Sequence, residues 1–276
     1  MREMDVNRPV RGLELQPLAA AKDIIDGALA WRVWISLSWQ EFSSMYRRSL
    51  IGVSWVMLSF AAFVFVKITI FSSLLAVDDA TYYDAYLVVG FYLWVYLSQS
   101  IIASPDVFFS ASGWIKSEPL ALSTYVYKSA MREIYNLLFI TMVVFAALFY
   151  LGRDYSVTAL WSIPALLFLF VNTFFFKLLV GIVGARFRDL AHLIRAVMLP
   201  MLFMTPIFWL PSQMPSLMKY LWWNPLFHAL EIFRAPLLDN RIPYESWAFM
   251  AVQFCIVSLV AFLLFSRFRQ RIVFWF

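Results

Sequence analysis

Charge is scarce in this chain. Only 14% of its 276 residues are charged, against about 25% in ordinary soluble domains. Cysteine is scarcer still: the single thiol, Cys255, has no partner within the chain, so an internal disulfide is excluded. With two histidines, His192 and His228, set far apart and no cysteine or carboxylate cluster beside them, no metal site is expected. A Gly-x-x-x-x-Gly-Lys-Ser/Thr loop for nucleotide phosphates is missing. So is a Gly-x-Ser-x-Gly nucleophile elbow. Beyond the N-terminal segment the carboxylates are few and scattered, which is poor material for acid/base catalysis. The net charge of +5 does not gather into a nucleic-acid-binding patch, so no nucleic-acid partner is expected. No basic stretch followed by a short apolar run opens the chain, and no cleavable signal is expected.

Apolar length is what the sequence has in excess. Hydrophobic residues make up 63% of it. Six runs, 49–77, 85–102, 134–151, 157–183, 194–210 and 247–265, hold three charged residues between them: Lys67, Lys177 and Arg195. A hydrocarbon core of about 30 Å takes roughly 20 apolar residues as helix. Backbone polar groups in lipid must be paired within the segment, and no strict two-residue alternation points to a barrel. The expectation is an all-α membrane protein of six transmembrane helices, divided into a 1–48 cytoplasmic N-terminal segment and a 49–276 transmembrane domain.

Orientation follows from Lys and Arg. Sixteen of the 22 fall before the first run, in 103–133, in 184–195 and after 265. Four fall in the alternate loops. The rich side is cytoplasmic, which places both termini in the cytoplasm and 78–84 and 211–246 outside.

Three stretches lie outside the runs. In 24–42, Ile24, Ala28, Trp31, Ile35, Trp39 and Phe42 recur at helical spacing, which predicts one amphipathic helix at the cytoplasmic interface, with Arg47 and Arg48 at its end. Asp23, Asp26, Arg32 and Glu41 disfavour a seventh span there. In 103–133 a short helix running towards Lys116 should stop at the Glu118-Pro119 step, and a second should start near Ser123. The 211–246 loop is too apolar to be simply solvated. It is punctuated by five prolines, and two short re-entrant helices between spans five and six would explain it. A broken seventh span would put the basic C-terminal tail outside.

Aromatic residues make up 19% of the chain. Tyr82, Tyr86, Tyr92 and Tyr96 crowd the outer approach and outer half of the second run, with Phe60 in the first and Phe208 in the fifth. Tyrosine joins an apolar face to a polar tip, matching the C–H faces and hydroxyl rim of a sugar. Tyr92 and Tyr96 share a helical face, while Trp94 points elsewhere. Lys67 is costly within a span unless it faces a cavity or partner. Lys177 is near the cytoplasmic end of its run and is expected to snorkel.

Four motifs in order then resemble a known family, the membrane subunits of ABC transporters that export bacterial polysaccharides. They are Tyr46-Arg47-Arg48-Ser49-Leu50-Ile51-Gly52 through Trp55; Ala185-Arg186-Phe187-Arg188-Asp189-Leu190; Thr205-Pro206-Ile207-Phe208-Trp209; and Asn224-Pro225-Leu226-Phe227-His228 through Glu231, Phe233 and Arg234. The resemblance implies a homodimer in the bacterial inner membrane, joined to two cytoplasmic ABC ATPase subunits that supply the ATP and Mg sites this chain lacks. It implies a channel for a lipid-linked polysaccharide of O-antigen type, lined by Phe60, Lys67, Tyr82, Tyr86, Tyr92, Tyr96 and Phe208. ATPase coupling falls to Trp31, Arg47, Arg48, Lys116, Glu118 and Pro119, and the re-entrant segment to Asn224, Pro225, Glu231 and Arg234. Within the family, capsule and teichoic-acid exporters share this pattern. An integral-membrane glycosyltransferase or acyltransferase would need an acidic or histidine cluster at one face. A channel that works without ATP is the third reading.

Overall fold

The structure, a computed structural model, describes residues 15–74, 79–118, 120–152 and 155–275, with no side-chain description for 71–74. Residues 1–14 of the expected N-terminal segment lie outside it, as does Pro119. No strand occurs among the described residues.

Two helices, α1 (Pro17–Leu29) and α2 (Trp31–Ser44), precede the apolar bundle. They replace the single interface helix expected over 24–42, with the break at Ala30. The bend lets α1 pack on the later helices Ser123–Tyr150 and Tyr244–Ile272 while α2 runs along the first of these. A turn containing Arg48 and Gly52, both at positive φ, leads to α3 (Ser54–Leu74). Helix α4 (Ala80–Ala103) starts at Asp79, whose carboxylate accepts from the Tyr82 amide at 2.8 Å. A tight turn at 104–106 and two short helices, α5 (Val107–Ser110) and α6 (Ser112–Ser117), lead to α7 (Ser123–Tyr150). Then follow α8 (Ser162–Arg186), α9 (Asp189–Met204), α10 (Met218–Leu221), α11 (Pro225–Leu238) and α12 (Tyr244–Ile272).

Four of these segments are long and apolar enough to cross a bilayer: those containing α4, α7, α8 and α12. Helix α3 is apolar over the shorter stretch Ser54–Ile70. The run expected over 194–210 is helical only to Met204. Pro206 has no N–H and biases the residue before it away from helix. Thr205 is accordingly extended (φ −98°, ψ 134°), and 205–210 continue without helix. Sixteen residues of α9 give roughly 24 Å of helix, short of the hydrocarbon thickness.

Helix α4 is the hub. Tyr83 and every residue from Ala85 to Trp94 is buried, so this helix has no polar stripe. It packs against α3, α7, α8, α9 and α11. Helix α12 is its opposite: Val252, Ile256, Leu259 and Leu263 are exposed, the surface expected of a helix that meets lipid. Close approach comes from small residues. A Cβ on Gly184 of α8 would fall 2.4 Å from the Pro105 carbonyl oxygen, so only glycine lets the 104–110 turn lie there.

Candidate functional site

The break after α9 leaves carbonyl groups without helical partners inside an apolar bundle, and such groups need replacements. Helices α4 and α11 provide them. The Tyr83 hydroxyl donates to the Phe208 carbonyl at 2.7 Å, and Tyr86 donates to the Pro206 carbonyl at 2.9 Å. Arg234 adds a third donor, Nη1 to the same Pro206 carbonyl at 2.8 Å. Its guanidinium lies over the Tyr86 ring, 3.8 Å from the centroid.

Arg234 is almost fully buried and is neutralised by Glu231, one turn earlier, at 2.8 Å. The other Glu231 oxygen pairs with the exposed Arg241 at 2.8 Å. Asp239 extends the cluster, accepting from the Tyr82 hydroxyl at 2.7 Å. Asn224 begins α11: its side-chain carbonyl accepts from the Leu226 amide at 2.9 Å, and Pro225 occupies the first turn. The Asn224 amide donates to Thr205 Oγ1 at 3.0 Å, fastening the start of α11 to the end of α9. All four residues expected in the re-entrant segment therefore lie in one assembly. Tyr82 and Tyr86, expected on a glycan path, belong to this assembly too, with their hydroxyls engaged inside the chain.

The other expected channel residues divide. Tyr92 and Tyr96 do share a face of α4, but that face is buried. Tyr92 hydrogen-bonds Thr141 of α7 at 2.8 Å and packs on Phe233 of α11, and Tyr96 meets Phe170 of α8 edge-on. Trp94 is buried as well. Within this chain the Tyr92/Tyr96 face expected to line a glycan path packs on neighbouring helices, because α4 is surrounded rather than placed at a margin.

Phe60, Lys67 and Phe208 form a separate group facing α3. Phe91 stacks on Phe63 at 4.2 Å and on Phe60 at 5.8 Å, and approaches Phe208 at 6.2 Å. The Lys67 ammonium lies over the Phe63 and Phe208 rings at 5.0 and 4.9 Å. Phe63, Phe65, Val66 and Ile70 of α3 are exposed beside it.

At the opposite end, α1 is fixed by one carboxylate. Asp23 accepts from the amides of Leu122 and Ser123 at 3.3 and 3.0 Å, capping α7 from 100 residues away. Arg269 of α12 pairs with it at 3.0 Å. A cleft of about 490 Å³, lined in part by Lys22, Asp26, Thr124 and Arg269, opens beside it. Trp31, Arg47, Arg48, Lys116 and Glu118 are all exposed. Trp31 lies on α2, which packs on α7, and Lys116 lies on α6, which packs on α5.

Lys177 corrects another expectation. It does not snorkel: it is fully buried, 2.8 Å from Glu133 Oε2 as an ion pair, with its hydrogen bond going to Ser129 Oγ at 2.9 Å. Sequence reasoning missed Glu133 altogether. The only local signal was a carboxylate one residue before an apolar run. Among the described residues no three His, Cys, Asp or Glu side chains cluster as metal ligands would.

Known proteins share this sequence pattern. Two O-antigen export system permease proteins RfbA of Klebsiella pneumoniae are similar to this chain at 24% and 23% identity. Each match spans 236 residues, 84% of this chain and 90% of the relative. Residues 32–238, three quarters of the chain, match the profile of the ABC-2 type transporters. That stretch carries the α4 hub, the broken α9 and the Glu231–Arg234 assembly, and this chain belongs to the ABC-2 type transporter family.

Proposed function

We propose that this chain is the permease subunit of an ATP-driven exporter that moves a lipid-linked polysaccharide of O-antigen type across the bacterial inner membrane. The observation that carries the reading is family membership over residues 32–238 together with near full-length similarity to two O-antigen export permeases. In this reading the chain works as a homodimer with two cytoplasmic ATPase subunits, which hold ATP and Mg. Six spans, α3, α4, α7, α8, α9 and α12, place both termini in the cytoplasm, as the distribution of Lys and Arg supports. The 205–210 segment, α10 and α11 form the re-entrant outer structure. Non-helical backbone at that depth is tolerated where protein surrounds it, and the Tyr83, Tyr86 and Arg234 bonds do so.

The glycan path runs along the exposed face of α3, past Phe63, Phe65 and Lys67, with the buried Phe60 and Phe208 packed behind it. Aromatic faces hold sugar C–H surfaces weakly at many places, and movement requires that no single site bind tightly. Lys67 supplies the one cation of α3 to an anionic or hydroxyl-rich cargo. Helices α1, α2 and α6 receive the ATPase.

The test is reconstitution. Vesicles containing this chain and its cognate ATPase should transport lipid-linked O-antigen glycan on addition of ATP and Mg, and mass spectrometry of the cargo identifies it. Transport of a capsular or teichoic-acid polymer instead would move the protein to another branch of the family. The purified chain alone should hydrolyse no ATP, and turnover by it would refute the reading.

A further inference from the structure

Five charged side chains form an unbroken line across three helices. Glu41 of α2 pairs through Oε2 with Lys128 and through Oε1 with Arg132, both of α7 and both at 2.6 Å. Arg132 turns its other nitrogen to Glu133 Oε1 at 3.0 Å, and Glu133 Oε2 meets Lys177 of α8 at 2.8 Å. Both oxygens of both carboxylates are engaged. Side-chain exposure falls from 32% at Glu41 through 27% at Arg132 to 3% at Glu133 and 0% at Lys177.

Arg132 and Glu133 are neighbours in sequence, so their side chains leave α7 in different directions. One reaches α2 and the other α8. The line thus passes through α7 instead of running along it. Stability alone does not account for this arrangement. Apolar residues of the same volume hold helices together as well as a buried ion pair does, whereas removing one partner is strongly destabilising. What an ion pair adds is a fixed register between particular helices. Aromatic contacts reinforce it at the α2 end, where Phe42 stacks on Phe139 of α7 at 5.8 Å.

We propose that the Glu41–Arg132–Glu133–Lys177 line binds α2, α7 and α8 into one moving body, so that displacement of the cytoplasmic helices by the ATPase is delivered into the spans. These four are positioning residues for coupling. The proposal rests on the exporter reading above.

The test uses the full transporter in vesicles. Replacing both buried charges at nearly constant volume, Glu133→Gln with Lys177→Met, should leave assembly and ATP hydrolysis intact. Glycan exported per ATP hydrolysed should fall roughly tenfold, and the amides of α2 should exchange hydrogen faster. A second variant acts at the part-exposed end and leaves the buried Glu133 paired with Lys177. Glu41→Cys with Arg132→Cys, in a Cys255→Ser background, should be uncoupled, and a short bifunctional thiol reagent joining the two positions should restore coupling. Wild-type export per ATP in both variants would overturn the proposal. So would failure of the cross-link to restore coupling, or unchanged α2 exchange in the first variant. If the wild-type complex shows no ATP-driven export, the exporter reading fails, and α2 exchange still decides whether the line holds these helices together.

Discussion

Gly27 is a point of very close contact between α1 and the start of α7. A Cβ at this position would lie 2.1 Å from Ser123 Oγ and 3.1 Å from both Ser123 Cβ and the Thr124 backbone nitrogen. Rotating the hydroxyl away breaks its 2.6 Å bond to the Asp23 carbonyl. The two 3.1 Å contacts remain, one of them with backbone at the first turn of α7, so α1 must retreat. Overpacking of this kind costs about 1–3 kcal/mol, and the lost hydrogen bond adds about 1 kcal/mol. The better helix propensity of alanine returns about 1 kcal/mol. The net cost of Gly27→Ala is therefore about 1–3 kcal/mol against docking of α1, a roughly five- to hundredfold rise in its undocked population. Hydrogen exchange of 17–29, measured by mass spectrometry on the full chain in lipid nanodiscs, reads that population directly. Adding Ser123→Ala removes the shortest contact and should recover part of the protection. Unchanged exchange in Gly27→Ala, or no recovery on adding Ser123→Ala, refutes the close-contact argument.

At the other end, Arg234→Met should leave one oxygen of the buried Glu231 unpaired and the Pro206 carbonyl with only Tyr86 as donor, and lower stability in detergent by about 3–5 kcal/mol. Arg234→Lys should not rescue it, because one ammonium cannot serve both acceptors and also lie flat on Tyr86; full stability of the lysine variant would contradict this role. Burial raises the Glu41 carboxyl, but Lys128 and Arg132 outweigh it and hold its pKa below the ordinary carboxylate value. A depressed folded-state value means that its contribution is present above the ordinary range and lost as pH falls through the folded value. The amides of α2 should then lose protection in acid and not between pH ~6 and ~8, and Glu41→Gln should remove that dependence. Single cysteines at Ser117 and Gln213, both exposed, test orientation in a Cys255→Ser background. A membrane-impermeant thiol reagent outside the cell should label Gln213→Cys only, and labelling of Ser117→Cys would invert the topology.

The solvent of this protein was decided by sums over the sequence: long apolar runs, little charge, and Lys and Arg gathered on alternate loops. Those properties need no tertiary information, because transfer of an apolar run into lipid depends on composition and length alone. Local punctuation was equally legible. The stop near Glu118-Pro119, the start at Ser123 and the Asn224-Pro225 opening of α11 all follow from what proline and capping side chains do to adjacent backbone. Even the end of α9 was written in Thr205-Pro206, although the apolar run continued past it and concealed the break.

Partners were not legible. Lys177 and Glu133 are 44 residues apart, Tyr86 and Pro206 are 120, and Asp23 and Arg269 are 246. A single sequence gives each of these residues a cost of burial but not the group that offsets it. Tyr92 and Tyr96 show the same limit. Periodicity put them on one face of α4, yet whether that face meets a channel or a neighbouring helix depends on how many helices surround α4. Only packing settles that number, because an apolar helix face fits lipid, protein and sugar alike until its neighbours are in place.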